Sequence, residues 1–259
     1  MTIYETICDV NEKLIKKESI ETNFKQDTIN YILNNISGNE KINSFIKHFK
    51  DNKNMYPLYF IPPYNNGKKL RIISGYKPKT ILLSSNHYEL EILRILNLWS
   101  NKNDIVKDMT KNTLTRLDKT CFGHYCSKGE CIGAGVTALR FINTVCHDKI
   151  DWVKELLNPL SKLFVDQKGM GTKNNFPFFY FCLVLSELPI ELAKKYIIEK
   201  QEFLKKLLTR GSLIGPNEND TYNILILYII RNTLCRINEY KHIENELIYI
   251  KENRCYCKI

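Results

Sequence analysis

The sequence predicts an all-α protein built from α/α-hairpins that stack as a toroid or a curved solenoid. Two observations lead there. A loop-then-helix unit returns about every 45 residues: Leu93-Arg94-Ile95-Leu96-Asn97 is echoed by Leu139-Arg140-Phe141-Ile142-Asn143, and residues 181–186 and 225–232 hold equivalent places. A period of that length marks helix pairs that bury their apolar faces against the neighbouring pair. Within each unit a helix apolar nearly all round alternates with an amphipathic, charged one, so the first kind belongs inside and the second outside.

The elements follow in order. Residues 3–18 and 27–49 read as helices; in the second, Asp27 is the N-cap, Ile29, Ile32, Leu33 and Ile36 keep helical spacing, and Gly38 ends it. Leu58-Tyr59-Phe60-Ile61 and Leu70-Arg71-Ile72-Ile73 are β-prone, and Asn66-Gly67 between them signals a turn. That stretch predicts a small hairpin or a long ordered loop. Residues 1–79 therefore form N-terminal helices plus this appendage, and residues 80–259 form the repeat domain, packed with them as one unit. Apolar helices are expected at 87–99, 130–146, 176–188 and 221–236, with charged partners at 104–117, 150–164, 190–208 and 239–252. Asp104, Asp148 and Asp220 stand where N-caps are expected, and Pro159 should kink or split its helix.

Composition narrows the class. A chain of 259 residues buries roughly three quarters of its unfolded surface and needs no disulfide staple. Its nine cysteines, an odd number without secretory signals, read as buried thiols or a metal site. The apolar runs 176–188 and 222–230 are too short to cross a bilayer, and no basic start precedes an apolar segment. A cytoplasmic protein without a membrane span is expected. The net charge of +10 raises nucleic-acid binding, yet the lysines come singly or in pairs and no basic stripe interleaves with aromatics. Nucleic acid is the least favoured partner.

The unit "charged helix, Gly-containing loop, apolar helix" over residues 80–238 resembles the repeat of the terpenoid cyclase and protein prenyltransferase α/α-toroids. The resemblance implies a fold of inner helices wrapped by outer ones. The cyclase Asp-rich motif, the Gln-Trp repeat and the prenyltransferase zinc pattern are absent, so no chemistry carries over. Cys146-His147 resembles the zinc-binding Cys-His pair of the lanthionine cyclases, another toroid, but Asp148 stands where that family has Gly.

The densest constellation is Cys121-Phe122-Gly123-His124-Tyr125-Cys126-Ser127-Lys128-Gly129-Glu130-Cys131. Cys121, His124, Cys126 and Cys131 offer sulfur and nitrogen ligands on a glycine-bearing loop, the donor set that zinc prefers. The spacing is not that of a standard zinc finger, and His124 and Cys126, one residue apart, point oppositely in an extended chain. Small core thiols at two helix ends, or a redox pair, are the competing readings.

A second set comes from the expected toroid rim, where inner-helix N-termini favour anions. His87 and Glu130 are candidate base and acid there, and Asn175 and Asp220 candidate ligand contacts, against the plainer reading of helix caps. Arg94, Arg140 and Arg231 recur at one register of three inner helices; they either pair with carboxylates such as Glu91 or Glu187 or line an anion-binding cavity. The aromatic run Phe176, Phe178, Phe179, Tyr180 and Phe181 is first of all core, and alternatively the wall of an apolar pocket. Two functions follow: a helical-repeat binding or scaffold protein gripping a protein, peptide or small molecule, and a toroid enzyme or zinc metalloprotein.

Overall fold

The computed structural model describes residues 1–37, 55–62, 70–146, 148–166, 176–210, 212–213, 220–251 and 254–257. These residues are mostly helical. Helix α1 (Ile3–Lys16) opens on a capping box: the Thr2 hydroxyl accepts from the Glu5 N–H at 3.2 Å while Glu5 accepts from the Thr2 N–H at 2.7 Å. It closes on Lys17 in the left-handed conformation. Helix α2 (Thr22–Leu33) begins five residues before Asp27, which therefore lies inside the helix and caps nothing. The remainder of the expected 27–49 helix, from residue 38 on, lies outside the described residues, as does the Asn66-Gly67 turn. Residues 55–62 and 70–80 are irregular, without strand pairing.

Helices α3 (Ile81–Ser100), α5 (Cys131–Val145), α7 (Phe178–Glu187) and α9 (Asp220–Leu234) are the apolar members. The charged members are α4 (Asp104–Asp118), α6 (Ile150–Asp166) and α8 (Ile190–Arg210). In chain order α3 packs on α5, α5 on α7 and α7 on α9, while α1 lies against both α9 and α3. From Cys131 to Ile142 every residue of α5 is buried, which explains a helix with no polar face. Gly133 lets α3 and α5 approach closely, since a Cβ there would meet a Leu83 methyl at 2.8 Å. The four apolar helices and α1 enclose the core, which the aromatics Phe164, Phe176, Phe178 and Phe181 extend toward α6 and α8.

Three expectations are corrected. Asn103 caps α4, accepting from the N–H groups of Ile105 and Val106, and Asp104 is the first helical residue. Pro159 sits inside α6 and does not split it. The expected last helix, 239–252, is instead a 3-10 turn (Asn238–Ile243) followed by strand β2 (Ile248–Lys251). With β1 (Ser212–Leu213) and β3 (Arg254–Cys257) it forms an antiparallel sheet in the order β1-β3-β2, Tyr249 facing Tyr256 and Ser212 facing Cys255. The reason lies in β3, where buried Cys255 and Cys257 alternate with exposed Arg254 and half-buried Tyr256, a two-residue period that only a strand places on one face.

Candidate metal centre

Cys121, Cys126 and Cys131 come together at the N-terminus of α5. Cys121 starts a short 3-10 turn (Cys121–His124) that leaves α4, and Cys131 is the first residue of α5. Between them the chain reverses through Tyr125 at φ 67° and Gly129 at φ 51°. The three sulfurs lie within 4.8 Å of one another, with Cys121 Sγ and Cys131 Sγ 3.7 Å apart. That separation is the edge of a tetrahedron of sulfurs about 2.3 Å from a zinc ion, an edge of about 3.8 Å.

The turn is anchored from outside the loop. Phe122 is fully buried, and the Trp152 indole N–H donates to the Gly123 carbonyl at 2.7 Å. Gly123 has no room for a side chain, because a Cβ would stand 2.0 Å from the Leu117 carbonyl oxygen. His124 does not join the sulfurs. Its ring lies parallel to Trp152, with Nδ1 3.0 Å from Glu155 Oε1 and Nε2 2.9 Å from the Asp118 carbonyl oxygen. Those two oxygens, the first from α6 and the second from the end of α4, hold it away from the cluster.

The thiols are not equivalent. Burial pushes Cys131 up to about 12, helped by the neighbouring sulfurs, and raises Cys121 as well. For Cys126 partial burial acts in the same direction, but the Lys128 backbone N–H and the thiols of Cys121 and Cys131 all favour its thiolate and hold it below the usual thiol range. Of the three sulfurs, Cys126 is the one whose surroundings favour the thiolate.

The other candidate residues occupy different places. Glu130 is buried, and its carboxylate accepts from the Lys79 and Thr80 N–H groups and the Thr80 hydroxyl, fixing the chain as it enters α3. His87 lies within α3, its Nε2 accepting from the Ile73 N–H at 3.1 Å and its ring edge-on to Tyr180 at 5.0 Å. Burial holds its pKa down to about 4, so the imidazole is neutral. The structure therefore assigns His87 and Glu130 to separate networks and does not bring them together as a pair.

Arg94 and Arg140 meet in the core. Arg140 grips Glu187 through Nε and Nη2 at 2.7 and 2.6 Å and reaches Glu91 through Nη1 at 2.7 Å. Arg94 pairs with Glu91 at 3.1 Å, both arginines donate to the Asn11 side-chain oxygen, and the Tyr180 hydroxyl donates to Glu91. Against the cost of burial, the two guanidiniums hold Glu91 well below the usual carboxylate range. Arg231 is elsewhere, donating to the Glu246 carbonyl and to Asn232. Asn11 escaped sequence reasoning, although a lone Asn in an apolar helix stripe is a signal that marks it, and Tyr180 was read only as part of the aromatic run, without its bond to Glu91. Asp220 begins α9, while Asn175 and His147 lie outside the described residues.

Compared with known proteins, the chain matches no protein-family model, no curated protein and no solved structure. No helix among the described residues is long and apolar enough to cross a membrane.

Proposed function

We propose that this chain is a helical metal-binding protein that holds zinc, or a similarly thiophilic ion, on Cys121, Cys126 and Cys131. A fourth position is left for water or for a ligand brought by a partner. The observation carrying this reading is the convergence of the three sulfurs at spacings that suit one tetrahedral ion. The Lys128 backbone N–H and neighbouring thiols, which lower the Cys126 pKa, support it. In this reading the α/α-hairpins stack as a curved or closed repeat in the cytoplasm, a frame that presents the cluster on its surface.

The test is cobalt(II) and zinc titration of the full, reduced chain. One equivalent should bind with thiolate-to-cobalt charge-transfer absorption, and Cys126→Ser should abolish it while leaving the circular dichroism spectrum intact. A reduced chain that takes up no metal overturns the proposal.

A second reading, a binding or scaffold protein for a protein or peptide, draws on the polar network between the apolar helices. Where a toroid enzyme needs an inner cavity, Arg94, Arg140, Glu91, Tyr180 and Asn11 bond to one another. The two readings are compatible, because the metal cluster lies on the outside of the bundle.

A further inference from the structure

We infer that the ion on Cys121, Cys126 and Cys131 is in transit, passed to or from a thiol-bearing acceptor by ligand exchange with Cys121 the first protein sulfur to leave. This rests on the metal centre proposed above and adds what the centre is for.

Exposure of the ligands is graded. Cys121 is exposed, Cys126 half-buried and Cys131 buried at 9%. An ion seated among them meets solvent on the Cys121 side and protein on the Cys131 side, so an incoming ligand has one direction of approach. Structural zinc sites are closed by four protein ligands and supply the folding energy of their loops. Here the fourth residue of the motif is committed elsewhere, since His124 is bound to Asp118 and Glu155. The loop is also held by protein contacts: Trp152 to Gly123, buried Phe122, and the Cys131 N–H to the Lys128 carbonyl at 3.0 Å. The scaffold thus fixes the sulfurs without drawing on the ion, and the ion is free to leave.

The exchange balances without redox change. An acceptor thiol gives up its proton as its sulfur forms a bond to the ion at the fourth position. The bond from Cys121 to the ion then breaks, and the Cys121 thiolate takes up a proton equal to the one released. Repetition at Cys126 and last at buried Cys131 completes the transfer, with the ion divalent throughout.

The experiment uses the full chain loaded with zinc(II) and mixed with increasing dimercaptosuccinate, a chelating dithiol, while free and captured zinc are followed. The rate of removal should rise in proportion to dithiol concentration. Cys121→Ser should still bind zinc but release it at least about tenfold faster, since losing a direct sulfur ligand costs no less than the roughly tenfold seen on losing an outer-shell partner. The metal-free chain should melt cooperatively. A rate independent of dithiol, loss of zinc binding in Cys121→Ser, or a metal-free chain without a cooperative melt overturns the transit role while the metal centre stands. Failure of the unsubstituted chain to bind zinc overturns both.

Discussion

Substituting Arg140 by methionine tests the core network most directly. Arg140 is 1% exposed and makes three hydrogen bonds to carboxylates, two to Glu187 and one to Glu91. The two carboxylates respond differently to its loss. The Glu187 side chain is 30% exposed and can be rehydrated where it stands, whereas Glu91 is 2% exposed and keeps only Arg94 and Tyr180 as partners. Removing one partner of a buried ion pair costs about 3–5 kcal/mol, and nearly all of that cost falls on Glu91. For a chain of this size that is a fall in melting temperature of roughly 10 °C. Urea unfolding followed by circular dichroism at pH 7 measures it. If uncompensated charge is the cause, adding Glu91→Gln to Arg140→Met should restore part of the loss, although the double variant has fewer polar contacts than either parent. A loss under about 1 kcal/mol, the value of an exposed pair, or no recovery in the double variant refutes the reasoning.

Two further outcomes follow from the same structure. His87, depressed from 6.5 to about 4 chiefly by burial, lets the unfolded chain bind a proton that the folded chain refuses, so stability is full above pH 6.5 and falls as pH drops toward 4, by about 3 kcal/mol at 1.36 kcal/mol per pH unit. Urea midpoints across that window should show the slope, and His87→Gln, which keeps an acceptor for the Ile73 N–H, should flatten it. Gly123→Ala should destabilise the chain by about 1–3 kcal/mol through the clash with the Leu117 carbonyl, and should weaken cobalt binding by displacing Cys121; equal metal affinity in the two proteins would separate the turn from the centre.

The helices were legible because inner and outer members differ so sharply in composition. Residues 131–142 admit no polar face, and α5 is buried along that whole length. Charged residues on buried helices demand partners, which is why the sequence could offer Glu91 and Glu187 as partners for the arginines, but it left an anion-binding cavity open and did not say which arginine meets which carboxylate. The last segment was misread because Leu247-Ile248-Tyr249-Ile250 suits a helix or a strand equally. What decides is its pairing with β3, which in turn pairs with the two residues of β1, and nothing local announces that contact. At the cysteine loop the density of cysteines was visible in the sequence, with a metal site, core thiols and a redox pair as competing readings. The departure of His124 was not, because Asp118 lies six residues before it and Glu155 on another helix.

The Arg140 network also constrains how the chain can be made. Its members come from four helices, and the contact from Arg140 to Asn11 spans 129 residues while that to Glu187 spans 47. As the polypeptide leaves the ribosome, Asn11, Glu91 and Arg94 emerge early, but Arg140 has no carboxylate to spare for its fork until Glu187 follows. A shorter nascent chain that collapsed would bury a guanidinium only half neutralised. Completing the network therefore needs α1, α3, α5 and α7 together, so α7 is the last of its elements to leave the ribosome.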